Sequence, residues 1–170
     1  PLHESTYYLM RSTGQYTLIL SLCLGMALWG FFASGEAYAQ SEALIRLNPE
    51  ELRVAEGDAA TFDVVVDGVE DLYGLDIRLA FDPAVTEVVD ANTASGGIQV
   101  EPGDLLSLDF VVKNEADNEA GTVWFAMTQL NPSKAVSGSG IAFSVEFRGL
   151  EGGIETALAV THAQLATRAG

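Results

Sequence analysis

The side chains able to do covalent or metal chemistry are few in this sequence, and their spacing argues against most of that chemistry. The 170 residues contain one Cys and two His. Cys23 sits inside an apolar run and His3 precedes the first Met, so His162 is the imidazole that remains for any folded domain. A Ser or Cys nucleophile needs a base within hydrogen-bond reach, and a lone His in or at the end of a predicted strand selects no nucleophile. Zinc needs several His or Cys ligands. Carboxylates are plentiful, 24 Asp and Glu against 8 Lys and Arg, yet no spacing picks out the opposed pair that glycoside cleavage uses. The expectation is therefore no catalytic residue, no cofactor and no metal site.

Calcium needs only oxygen ligands, and two stretches were weighed for it. Asn114, Glu115, Asp117, Asn118 and Glu119 crowd together but show no bidentate spacing, and read as a solvated turn. Asp63, Asp67 and Gly68 echo part of an EF-hand loop, but Val65 takes the middle ligand position and Gly74 stands where the closing Glu belongs. The net charge of -16 also sets partners aside. Nucleic acid and anionic membrane surfaces demand clustered cations, and this field has the opposite sign.

The elements that would position any site begin after a leader. The chain opens with Pro1, and Met10 reads as the true start. Arg11, an apolar stretch from about Leu18 to Phe32, and Ala37-Tyr38-Ala39 before Gln40 make a helical secretory signal peptide with cleavage after Ala39. The rival is an uncleaved anchor, in which case this segment would be the chain's membrane contact; the apolar run is shorter than the ~20 residues a spanning helix wants. Residues 1–39 are thus assigned to upstream sequence and leader, and 40–170 to one domain that is secreted and extracellular or held at the cell surface. Without Glu4, Glu36 and Arg11 that domain keeps 22 acidic and 7 basic residues. It holds no Cys, so packing alone must stabilise it.

From Ala43 onward the apolar pattern has period two. Leu75, Ile77, Leu79 and Phe81 alternate with Asp76, Arg78, Ala80 and Asp82. Phe62, Val64 and Val66 alternate with Thr61, Asp63, Val65 and Asp67. Leu106, Leu108, Phe110 and Val112 repeat the pattern, as do Ile141, Phe143, Val145 and Phe147. Further strands are predicted over 43–47, 52–54, 85–89, 122–129 and 155–162, with turns at Glu56-Gly57-Asp58, Pro102-Gly103-Asp104 and Gly138-Ser139-Gly140. The prediction is an all-β, two-sheet antiparallel sandwich of eight or nine strands with jelly-roll-like topology.

The run VEDLYGLDIRLAFDPAVTEVV at 69–89 resembles the cohesin family. So does the order of blocks around it: Glu56-Gly57-Asp58, Leu72-Tyr73-Gly74, Asp82-Pro83, Pro102-Gly103-Asp104, GTVWFAM and GSGIAFSVEFRG, spanning about residues 43–165. The resemblance implies a noncatalytic sandwich that holds a dockerin domain on one flat sheet face, with calcium carried by the partner. It places Asp76 where first-type cohesins have a recognition Asp that accepts hydrogen bonds from the partner. Gly74 stands where they have Asn, and Met127 or Thr128 falls near an acidic contact position. These departures, and the LYG link, bring the chain nearer to second-type or non-cellulosomal cohesins.

Strand parity points to the same face. Asp76 and Arg78 lie on the polar side of their strand, and Trp124 has the opposite parity to Val123, Phe125 and Met127, so one of those sets faces outward. The candidate partner-binding residues are Gly74, Asp76, Arg78, Trp124, Met127 and Thr128. Two other readings stay open: a carbohydrate-binding module of related fold taking polysaccharide through Trp124, or a structural or adhesion domain.

Overall fold

A computed structural model describes residues 43–50, 54–150 and 158–168. The predicted leader, residues 52–53 of the predicted strand at 52–54 and the start of the one at 155–162 lie outside the described residues, and Val54 itself is not in a strand. Within them the chain is all-β, with eight strands: β1 (Leu44–Asn48), β2 (Ala59–Ala80), β3 (Thr86–Val88), β4 (Glu101–Pro102), β5 (Phe110–Asp117), β6 (Thr122–Thr128), β7 (Val136–Gly149) and β8 (Ala159–Thr167). Every strand-to-strand ladder is antiparallel.

One strand serves both layers. The first half of β2 pairs with β1 and β7, and its second half with β6 and β8. The sequence had suggested two strands joined by a Leu72-Tyr73-Gly74 link; instead the ladder runs through the link and the strand turns at bulges. Register shifts fall at Val66/Val69 and Val69/Leu72, where Gly68 (φ 69°) and Asp71 (φ 52°) adopt the left-handed conformation. Bulges bend a strand and sharpen its twist, which carries β2 from one sheet into the other. Hydroxyls of β7 meet the backbone groups this frees: the Gly68 amide donates to Ser139 Oγ (3.1 Å) and the Asp71 amide to Ser137 Oγ (3.0 Å). The Gly138-Ser139-Gly140 segment, expected to be a turn, is therefore strand, with Gly138 at φ 122° absorbing the bulge.

The layers are thus β1, β2, β7, β3 and β4 on one side and β8, β2, β6 and β5 on the other. Their inner faces hold the apolar alternation read from sequence: Val64 and Val66; Leu75, Ile77 and Leu79; Val123, Phe125 and Met127; Phe143, Val145 and Phe147. Phe125 of one layer meets Phe143 of the other with ring centroids 4.9 Å apart. Each such side chain removed from water contributes about 1.5–3 kcal/mol.

Polar side chains bind the loops to this frame. Asn118 closes a two-way bond with the Val88 backbone (2.8 and 3.0 Å), and Asn114 does the same with Val100 (2.8 and 2.8 Å). Buried Gln129 accepts from the Ser107 amide (3.0 Å) and donates to the Lys134 carbonyl (2.7 Å). At the β5–β6 turn Gly121 (φ +66°) passes so close to Phe81 that a Cβ there would lie 2.4 Å from its carbonyl oxygen.

The predicted strand over Leu106 to Val112 is displaced. Residues 105–109 form a loop and β5 begins at Phe110. Leu106 is buried, but Leu108 (54%), Phe110 (53%) and Val112 (58%) are exposed. A bulge opposes Val111 and Lys113 to the adjacent residues Met127 and Ala126, leaving Val112 unpaired. Pairing with β6 set this register, and the local alternation carried no information about it.

Candidate functional site

The outer surface of the β8–β2–β6–β5 layer is a four-strand grid whose rows follow from the register. One row reads Ala166, Gly74, Thr128 and Phe110; the next Gln164, Asp76, Ala126 and Lys113; the next His162, Arg78, Trp124 and Glu115; the last Ala159, Ala80, Thr122 and Asp117. Alternation along the central strands puts Leu75, Ile77, Val123 and Phe125 beneath it in the core, so this surface is the solvent side of the layer.

Trp124 stands at the centre and is 37% exposed, which decides the parity question: it faces outward. The Arg78 guanidinium lies 4.0 Å from its ring centroid and Lys113 Nζ 5.5 Å away on the other flank. A cation over an indole face is attracted by the ring quadrupole, worth about 0.5–1 kcal/mol at exposed sites. Each cation also has a carboxylate two residues away on its own strand. Arg78 Nε and Nη2 approach Asp76 at 3.4 Å each, and Lys113 contacts Glu115. The aromatic centre is thereby ringed by charged and polar groups, an arrangement typical of protein-binding hot spots. Arg168, just past β8, stacks over Tyr73 at 5.5 Å.

Of the six residues singled out from sequence, Asp76, Arg78 and Trp124 meet at this centre. Gly74 and Thr128 share the adjoining row. The Thr128 hydroxyl is directed at the Tyr73 and Gln129 carbonyls (3.3 and 3.2 Å), and a Cβ on Gly74 would come within 3.2 Å of that hydroxyl oxygen. Met127 is corrected: it points inward, 3% exposed, and cannot touch a partner. Its parity with Val123 and Phe125 placed it in the core once Trp124 faced out.

Sequence reading missed Lys113, Glu115, Gln164 and His162. The signal for the β5 pair is the alternation of Lys113, Glu115 and Asp117: Lys113 closes the predicted strand, while Glu115 and Asp117, read as a turn, continue it in β5. His162, expected in or at the end of a strand, lies within β8 opposite Arg78. In the stretch weighed for calcium, Asn114 and Asn118 clamp backbone, Glu115 meets Lys113, and Asp117 accepts from the Glu119 and Ala120 amides (2.9 Å each). Among the described residues no group of three or more His, Cys, Asp or Glu converges to hold a metal.

Solved structures share this architecture. A second-type cohesin module of the adaptor scaffoldin of Acetivibrio cellulolyticus matches with TM-score 0.62 at 15% identity, covering 76% of this chain and 81% of that one. A non-cellulosomal cohesin from the archaeon Archaeoglobus fulgidus matches with TM-score 0.59 at 17% identity, covering 76% and 81%. A second-type cohesin–X–dockerin complex, also from Acetivibrio cellulolyticus, matches with TM-score 0.60 at 15% identity, covering 76% and 89%. No family model matches the sequence, and no curated protein does. The fold is that of a cohesin-like domain.

Proposed function

We propose that this chain is a noncatalytic, exported recruiting module that binds a dockerin or similar small domain on the β8–β2–β6–β5 face, with calcium supplied by the partner. One observation carries the reading. On one layer of this domain, an outward Trp124 is centred in a ring of charged side chains, with core directly beneath. An exposed aromatic within a polar rim suits docking against a second protein surface. The related structures include one solved with a dockerin, which supports the choice of partner class. Polysaccharide is the weaker reading, because Arg78 occupies a face of Trp124 on which a sugar ring would stack.

The test is co-purification of dockerin-bearing proteins from the same source with the chain. A dockerin retained by the wild type and released by Trp124→Ala supports the reading. Failure across the available dockerins, or retention on insoluble polysaccharide abolished by Trp124→Ala, sinks it.

A further inference from the structure

Resting on the docking reading, and deepening it, is the chemistry the partner must present. We propose that this face selects an acidic partner side chain, received by Arg78 beside an apolar residue that covers Trp124. The resemblance to cohesins had cast Asp76 as the acceptor for partner donors. Here both Asp76 oxygens point at Arg78, from Nε at 3.4 Å and from Nη2 at 3.4 Å. Asp76 is spent on orienting the guanidinium, and the recognition group changes sign from acceptor to donor.

Three features make Arg78 a prepared carboxylate receptor. Its plane is fixed by the indole at 4.0 Å, so little rotamer freedom is lost when a carboxylate docks. Its contacts with Asp76 are long, against about 2.7–2.9 Å for strong charge-assisted pairs, so the guanidinium is oriented yet open to a closer carboxylate. The arginines on the opposite layer differ: Arg46 meets Asp67 at 2.5 Å and Arg148 meets Glu87 at 2.9 Å. Finally, the guanidinium edge turned away from Asp76 has no hydrogen-bond partner among the described residues, and a second cation, Lys113, lies 5.5 Å from the same ring with Glu115 as its partner. In a chain of net charge -16, these cations bracket the one outward tryptophan of the described residues.

Two helical Leu/Ala peptides, identical except for a Glu or a Lys beside the leucine stripe, are the probes. Each is titrated into the 15N-labelled chain while the Trp124 indole N–H signal, identified with Trp124→Phe, is followed. The Glu peptide is expected to shift that signal and to bind about tenfold more tightly than the Lys peptide, as a charge-assisted pair allows. Arg78→Gln removes the preference and Arg148→Gln, on the far layer, leaves it unchanged. Preference for the Lys peptide, equal binding, no binding of either, or loss with Asp76→Asn in place of Arg78→Gln overturns the proposal. The two readings separate cleanly. Glu-peptide binding without any dockerin partner removes the docking reading alone, and a dockerin held equally well by Arg78→Gln removes this one alone.

Discussion

The two outer faces of the sandwich are built from the same long strand and behave differently. On the β1–β2–β7 side the charged groups satisfy one another. Arg46 pairs with Asp67, Arg148 with Glu87, and Ser144 donates to Asp63 at 2.7 Å. On the β8–β2–β6–β5 side Lys113 pairs with Glu115, while Arg78 makes only long contacts with Asp76 and stacks on an exposed indole. Exposed large apolar side chains divide in the same way. Leu44 and Leu150 lie by the first layer, while Leu108, Phe110, Val111, Val112, Trp124, Leu130 and Val160 belong to the strands and adjoining turns of the second. A self-satisfied surface has little left to offer a partner, whereas the outward rows of the second layer still present Phe110 and Trp124 to solvent. Function can thus be apportioned between faces of one fold by where residual bonding capacity remains.

The comparison presupposes a shared core, and the largest effect should come from breaking it. Phe143→Ala removes a ring packed against Phe125 and is expected to cost about 3–5 kcal/mol, read as a lower urea midpoint with both faces lost together. Next in size, Gln129→Ala removes a buried side chain and the two hydrogen bonds it makes to the Ser107 amide and the Lys134 carbonyl. A loss of about 1–3 kcal/mol is expected, with amide exchange rising in the loops beside the second face and unchanged along β1. If exchange rose equally on both layers, the loop anchoring would not be local.

Smaller effects separate the faces themselves. Trp124→Ala should lower stability by about 1 kcal/mol, from lost cation–π attraction and partial burial, while abolishing partner retention. Arg148→Ala, across the sandwich, should change stability by about 0–1 kcal/mol and leave retention intact. A double-mutant cycle with Glu87→Ala would read out that pair.

The smallest effect is a pH dependence with a defined sign. The Arg46 guanidinium holds Asp67 below its ordinary value of 3.8, and hydrogen bonds from Ser133 and the Leu130 amide do the same for Asp109. Folded values below the unfolded one mean that each carboxylate stabilises the fold above about pH 4, and that this contribution fades as pH falls through the lowered folded value. The stability gap between wild type and Asp67→Asn or Asp109→Asn should therefore narrow on acidification below that range. A gap that widened would contradict both hydrogen bonds.

Much of the core was legible in the sequence, because period-two alternation reports which side of a strand is apolar wherever one face is buried. It identified Leu75, Ile77, Leu79, Phe143, Val145 and Phe147 correctly, and it put Asp76 and Arg78 outside. The same rule failed for Leu108, Phe110 and Val112. An apolar alternation looks identical whether it faces a core or a partner, and only pairing with β6 shows that these residues stay in water. The continuity of β2 was hidden for a related reason. Gly68 and Asp71 read as turn residues, yet a bulge uses the same left-handed backbone without ending the strand.

The residues by themselves determined a β-sandwich without disulfides in its described part, an acidic field, and the absence of a nucleophile–base pairing by spacing. What tertiary structure alone decided is who stands next to whom on the outer face. Trp124 lies among Arg78, Lys113 and Glu115 because strands separated by tens of residues align in one register. Cross-strand neighbours sit about 4.5–5.5 Å apart whatever their distance along the chain, and no local pattern encodes that alignment.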